Sequence, residues 1–199
     1  MALASLALIT VEKFKFYAKV LQSETSRTTE YEEIINESSQ LIETYCGRFF
    51  REKTIIQKVD GDRGNYILTD QQNVTSVTSI HIDSARVFDA NTLVDASLYD
   101  IDLDERQEGI GIVLLDSNFP GGTRNIRLEY LAGYPAITDV PADIQLACKI
   151  TAAYYYYISE NREFVSSSKS KGDETISIIQ GIPERATLIL DNYKRLKGY

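Results

Sequence analysis

The stretch IINESSQLIETYCGRFF, residues 34–50, marks the point where a helical part of the chain ends. Apolar residues recur in it at helical spacing as far as Tyr45 and Cys46. Gly47 then stands where a helix commonly ends in a left-handed residue, a conformation that glycine adopts without steric cost. From about residue 53 the apolar period changes to the alternation of β-strands, so this stretch separates two kinds of structure.

Four helices are predicted around this boundary. The first begins after the N-cap residue Thr10 and carries an apolar stripe of Phe14, Tyr17, Ala18 and Leu21. The second begins at a T-x-x-E capping box, Thr29 with Glu32, and ends at Cys46. The third spans roughly residues 141–160 with Pro141 at its first position, and Pro183 opens the last helix.

The intervening block alternates apolar and polar residues in short runs separated by turn segments such as DGDRG and FPGGTR. The predicted strands are TIIQKVD, NYILT, VTSVTSIHID, ARVFD, LYDIDL, GIGIVLL and NIRLEYLAGY. We therefore predict an α+β fold with a helical core of about four helices and a β-rich antiparallel insertion between the second and third. The expected organisation is one domain over residues 1–199, with the insertion at 53–131 and a polar, flexible arm at 161–182.

Charge and composition limit the functions the chain can have. The 199 residues include 29 acids and 21 bases, a net charge of −8, which argues against a nucleic-acid clamp. Residues 95–116 hold seven of the acids and one base, so this window contributes −6 by itself. Charged residues near the start interrupt any membrane span, so we expect an intracellular protein at synthesis, with no membrane partner.

The thiols and the histidine give no catalytic site. Cys46 is predicted at a helix C-terminus, where the helix dipole opposes a thiolate, and Cys148 lies on an apolar helical face. We expect both to be free, buried and structural. The lone histidine, His81, lies in a predicted strand as a surface or cross-strand residue, so no catalytic residue, metal site or cofactor is predicted.

The acidic stretch LYDIDLDERQEG is the best candidate for a metal site. Asp100, Asp102 and Asp104 copy the first ligand spacings of a calcium loop, but Glu105 and Gly111 occupy positions that require glycine and glutamate. Alternation with apolar residues favours a strand with one acidic face. The tyrosines of YYYY, residues 154–157, fit a protein interface and a plain core equally well.

Four stretches taken together resemble the head-tail connector proteins of tailed bacteriophages, also called adaptor or head-completion proteins. They are LITVEKFKFYAKV, IINESSQLIETYCGRFF, NIRLEYLAGYPAITDVPADIQLACKITAAYYYY and KGDETISIIQGIPERATLILDNYKRL. The resemblance implies a structural protein of the virion neck, assembled in the host cytoplasm, with no enzyme activity. It implies a twelvefold homo-oligomeric ring that binds the portal protein and the next neck or tail protein after DNA packaging.

In such a ring the DNA passes through without specific binding, and the acidic window suits the channel wall because it repels phosphate. The candidate channel-facing acids are Asp100, Asp102, Asp104 and Glu105. The apolar stretch TISIIQGI, residues 175–182, follows the polar loop and suits strand addition to a neighbouring subunit or docking onto the portal. The candidate partner-binding residues are Ile176, Ile178, Ile179 and Ile182, assisted by Lys194, Arg195 and Lys197.

Three alternatives stay open at this point. In the first alternative, the apolar stretch 175–182 packs on its own helical core instead of on a partner. In the second alternative, the protein is a small metal-dependent enzyme that uses the acids at 100–108. In the third, it is a generic soluble protein-binding module.

Overall fold

The computed structural model describes residues 3–102, 110–160, 170–171, 174–175 and 181–194. Contacts divide the chain into a helical unit, Met1–Arg51 with Ala136–Tyr199, and a β unit, Glu52–Pro135. The helices are α1 (Val11–Tyr17), α2 (Thr28–Cys46), α3 (Ala142–Glu160) and α4 (Glu184–Leu190). The strands are β1 (Lys53–Gly61), β2 (Tyr66–Gln72), β3 (Val74–Ile82), β4 (Tyr99–Asp102), β5 (Ile110–Leu115) and β6 (Gly122–Ala132), with a short pair β7 (Ser170–Lys171) and β8 (Glu174–Thr175). The six longer strands lie between α2 and α3, which confirms the predicted α+β class.

The helix ends follow the sequence in part. The Thr10 side chain accepts a hydrogen bond from the Lys13 N–H at 3.3 Å and caps α1 as predicted. The capping box at Thr29 is wrong, because α2 already begins at Thr28 and no side chain caps it. Gly47 has a φ of 67° and its N–H donates to the Glu43 carbonyl at 2.9 Å, so the predicted end of α2 is confirmed.

The first and last helices are shorter than predicted. The helix α1 ends at Tyr17, so Leu21 is not part of its apolar stripe. The N–H of Lys19 donates to the Phe16 carbonyl and that of Val20 to the Lys15 carbonyl, which closes the helix as a Schellman motif with Lys19 at a φ of 56°. Following Pro183, α4 ends at Leu190, and residues Asp191–Tyr193 tighten into a 3₁₀ turn.

Three aromatic rings from three helices form the centre of the helical unit. The ring centroids of Phe14 and Tyr31 are 5.4 Å apart, and Tyr156 lies 5.7 Å from the first and 5.8 Å from the second. All three side chains are buried. Such offset and edge-on ring pairs add about 0.5–1.5 kcal/mol each beyond the area they bury, so this cluster joins α1, α2 and α3.

The β unit consists of two three-stranded antiparallel sheets, with strand orders β1–β6–β3 and β2–β5–β4. Alternate residues of the strands point into one apolar cluster. Its buried members are Ile67, Val74, Ile80, Val113, Leu115, Phe119, Ile126, Leu128, Tyr130 and Ala132.

The predicted strand ARVFD, residues 85–89, is wrong. The Asp83 carboxylate accepts hydrogen bonds from the N–H groups of Val87 at 2.6 Å and Phe88 at 3.0 Å. Arg86 and Phe88 both have positive φ, so the backbone turns around this carboxylate. A short polar side chain thus competes with the sheet for the backbone donors, and a loop forms instead.

None of the helices in the described parts of the chain has the length and apolar composition that a bilayer span requires.

We expect Gly47→Ala to lower the free energy of unfolding by about 1 kcal/mol, because a side chain in the left-handed region costs roughly that amount. Urea denaturation followed by circular dichroism measures the change. Thr44→Ala is the matched control, since Thr44 is exposed and its hydroxyl donates to the Gln40 carbonyl of its own helix. A Gly47→Ala protein as stable as the wild type would contradict the assigned helix end.

Candidate assembly surfaces

The structure describes four of the eleven predicted site residues: Ile182, Lys194, Asp100 and Asp102. The other seven, Ile176, Ile178, Ile179, Arg195, Lys197, Asp104 and Glu105, lie outside the described residues. The four that are described belong to two separate regions, the closing segment of the helical unit and strand β4.

Lys194 already has partners in its own subunit. Its Nζ lies 2.8 Å from Asp191 Oδ1 and 4.2 Å from the centre of the Tyr45 ring, and the Tyr45 hydroxyl donates to the same Oδ1 at 2.7 Å. The hydrogen bond to Asp191 raises the pKa of Lys194, and the reciprocal bond lowers the pKa of Asp191. The spacing of three residues between Asp191 and Lys194 is the sequence signal that would have predicted this pair.

Asp100 and Asp102 are exposed on β4 and alternate with half-buried Ile101, as the acidic-face prediction requires. The only bond that involves either carboxylate among the described groups is from the Ile101 N–H to Asp100 Oδ1, at 2.8 Å. Within the described residues, no group of three His, Cys, Asp or Glu side chains could hold a metal ion. Asp100 and Asp102 are therefore two solvent-exposed charges on β4.

An apolar surface lies on the same sheet as these acids. Tyr66 and Leu68 of β2 are exposed to 51% and 49%. The register aligns Leu68, Ile112 and Asp102 in one row across the strands, and Tyr66, Leu114 and Asp100 in the next. Directly paired residues share a face of a sheet, so we name the surface formed by Tyr66, Leu68, Asp100 and Asp102 the β2–β4 face. The continuous apolar run of NYILT was the signal that this strand is apolar on both sides.

A second exposed apolar surface follows α1. Phe16 and Leu21 are exposed to 83% and 76%, on either side of the turn that Lys19 closes. Tyr157 of α3 is 47% exposed and its hydroxyl donates to the Ala18 carbonyl at 2.8 Å, which places it beside this turn. We name these residues, Phe16, Lys19, Leu21 and Tyr157, the α1-turn patch.

A groove of about 400 Å³ adjoins the α1-turn patch. Its lining includes Lys19, Leu21, Tyr31, Tyr156 and Tyr157, so three tyrosine side chains border it. In the run of tyrosines at 154–157, Tyr156 packs in the core and Tyr157 lies at an open surface, so the interface interpretation stays a prediction for Tyr157.

The two thiols are buried, as predicted. Burial raises the pKa of Cys46 to about 11, although Arg48 opposes the shift, and raises that of Cys148 to about 12. Cys46 Sγ lies 3.8 Å from the Leu190 carbonyl, and Cys148 Sγ lies 3.7 Å from Ser39 Oγ. Both thiols are protonated near neutral pH and lack the thiolate that a nucleophile needs.

The His81 ring contacts the segment that follows its strand. Its Nδ1 lies 3.2 Å from both the Asp89 carbonyl and Thr92 Oγ1. These contacts join the end of β3 to the segment that follows it, and they suit the cross-strand histidine that the sequence predicts.

No curated protein matches the chain. Chains in solved structures match over the whole of this chain. One is from the virion of a native gene transfer agent particle, with 15% identity, a TM-score of 0.65 and 95% of that chain covered. Another is from the neck of the empty particle computed with C6 symmetry, with 16% identity, a TM-score of 0.66 and 95% of that chain covered. A third is the neck of the native particle computed with C12 symmetry (17%, 0.63, 94% of that chain). At this level of identity the likeness shows a shared fold.

The match to a protein family is broader than any one motif. It extends over residues 7–196 and so includes the whole β unit and most of the helical unit. The chain belongs to the head completion protein family, the structural proteins that join phage heads to tails.

Proposed function

We propose that this protein forms a twelvefold homo-oligomeric ring in the virion neck, between the portal protein and the next neck or tail protein. The ring is added in the host cytoplasm after DNA packaging. The observation that carries the proposal is the family match over residues 7–196. The full-length likeness to chains from necks computed with C6 and C12 symmetry supports a ring of this kind.

The role we propose is structural, with no catalytic step. The described residues offer large exposed apolar side chains, which suit contacts with other proteins, in both units. The buried, protonated thiols offer no nucleophile. We treat residues 1–199 as one connector domain with the insertion at 53–131 and the arm at 161–182.

The acidic window is proposed to border the DNA channel. Asp100 and Asp102 are exposed on a strand at the edge of its sheet, and the proposal extends to Asp104 and Glu105. Carboxylates along a channel keep the phosphate backbone from binding the wall, so the DNA moves through without a specific site.

The arm is proposed to bind a neighbouring subunit or the portal through Ile176, Ile178, Ile179 and Ile182. Lys194, Arg195 and Lys197 are proposed to assist against an acidic partner surface. The pair with Asp191 leaves Lys194 less of its charge for that partner, so we assign the larger electrostatic share to the other two.

The purified chain, mixed with the portal protein of its own particle, is expected to form rings of twelve copies. Mass photometry counts the copies, and electron micrographs of the mixture and of particle necks show their place. A chain that stays monomeric with the portal and is missing from the necks would contradict the proposed function.

Changing both Ile176 and Ile178 to Asp tests the arm. If the arm binds another subunit, the monomer melting temperature stays unchanged while the number of rings falls, because charged side chains then enter an apolar contact. Leu188→Asp is the control, since Leu188 is a 67% exposed apolar side chain on α4. A large drop in the melting temperature of the double variant would mean that the segment belongs to the subunit core.

Replacing Cys46 and Cys148 with Ala should leave ring formation intact and cost about 1–3 kcal/mol of stability in total. In the native wild type, a thiol reagent should react slowly up to pH 9 and rapidly after unfolding, because the folded pKa values lie above the ordinary 9.0. Since an acid with a raised folded pKa favours folding only while protonated, thiol ionisation lowers stability above pH 9 and has no effect near neutrality. A stable Cys46→Ala protein that no longer assembles would argue against a structural thiol.

A further inference from the structure

The α1-turn patch and the β2–β4 face are both apolar surfaces exposed to solvent. Each presents two large apolar side chains to solvent, Phe16 and Leu21 on one and Tyr66 and Leu68 on the other, all exposed to about half or more. Neighbouring exposed apolar side chains are typical of surfaces that contact another protein. The two surfaces lie in different units of the chain.

Their charges are opposite. The patch carries Lys19, which makes no ion pair among the described residues. The carboxylate of Glu24, which lines the same groove, accepts a hydrogen bond from the Ser26 N–H at 2.8 Å. Arg27, also at the groove, is held by carboxylates of its own subunit, with Glu30 at 2.8 Å. The β2–β4 face ends in Asp100 and Asp102, about 10 Å across two strand spacings from Tyr66 and Leu68.

We propose that the α1-turn patch of one subunit binds the β2–β4 face of the next copy of this chain, and that this contact repeats around the ring. Tyr66 enters the groove beside the patch, whose walls include Tyr156 and Tyr157, and Leu68 is covered by Phe16 and Leu21. Lys19 lies against Asp100 and Asp102. The inference rests on the proposed ring and names the surfaces that build it.

The symmetry of the contact follows from its two different halves. A contact between unlike surfaces is heterologous, so it leaves one free patch and one free face at the ends of any open chain of subunits. A rotation that closes turns that chain into a ring. In this contact Lys19 pairs with Asp100 and Asp102 at the edge of the β2–β4 face while the apolar side chains are covered.

Two variants remove one half of the contact each. Phe16→Asp spoils the patch and Leu68→Asp spoils the face, and each should lower the fraction of chain in rings about tenfold or more, because a carboxylate is buried without a partner. Val87→Asp and Leu188→Asp are the controls, since these apolar side chains are 72% and 67% exposed outside both surfaces. Melting temperatures of all four should match the wild type.

Mixing the two variants tests the heterologous geometry directly. The Phe16→Asp chain keeps an intact face and the Leu68→Asp chain an intact patch, so together they should form one-to-one dimers that cannot grow. Mass photometry under the conditions in which the wild type forms rings, with the portal protein as template, distinguishes monomers, dimers and rings. Lys19→Glu should weaken rings about fivefold or less per contact, and Asp102→Lys should restore them.

The outcomes separate the inference from the proposed function. Wild-type rings with intact assembly of both Asp variants would overturn the inference and leave the ring standing. Loss of assembly in the controls as well, or a mixture that stays monomeric, would also overturn it. A wild-type chain that forms no ring under any of these conditions would contradict the proposed function, and the inference with it.

Discussion

The pairing of β1 with β6 is the constraint on which the rest of the structure depends. Lys53 at the start of the β unit lies opposite Ala132 near its end, and the Glu52 N–H donates to the Tyr134 carbonyl at 3.0 Å. The chain therefore leaves α2 and returns towards α3 at neighbouring points, although some eighty residues lie between. Because the two ends meet in one ladder, the insertion adds no long open loop to the helical unit.

The core of the helical unit also joins segments that are distant in sequence. Its segments are far apart in sequence, yet Phe14, Tyr31 and Tyr156 meet at one point, and Tyr45 of α2 bonds Asp191 of the closing turn. Ordering such distant segments costs conformational entropy, which the buried rings offset through area and ring geometry. The thiols contribute to this packing as small apolar groups, which explains why the cysteines of a structural protein are buried.

Function in a protein of this kind lies in its surfaces, and the two units differ in what they present. The β unit shows an apolar face that ends in carboxylates, and the helical unit shows exposed apolar residues around a turn closed by a lysine in a left-handed conformation. Lysine has a higher conformational free energy there than glycine, because its Cβ is crowded in the left-handed region. The proposed contact of its charge with the next copy gives a physical reason for a lysine at this position.

The sequence by itself determined the order of helices and strands, the end of α2 at Gly47, the burial of both thiols and the family resemblance, because periodicity, caps and spacing are local properties. Only the structure showed that the α1 stripe stops before Leu21 and that 85–89 is a loop around Asp83. It also decided which apolar residues stay exposed. A period marks a face as apolar, but whether another element covers that face depends on packing between distant segments. For Phe16, Leu21, Tyr66 and Leu68, none of the elements that the structure describes does so fully.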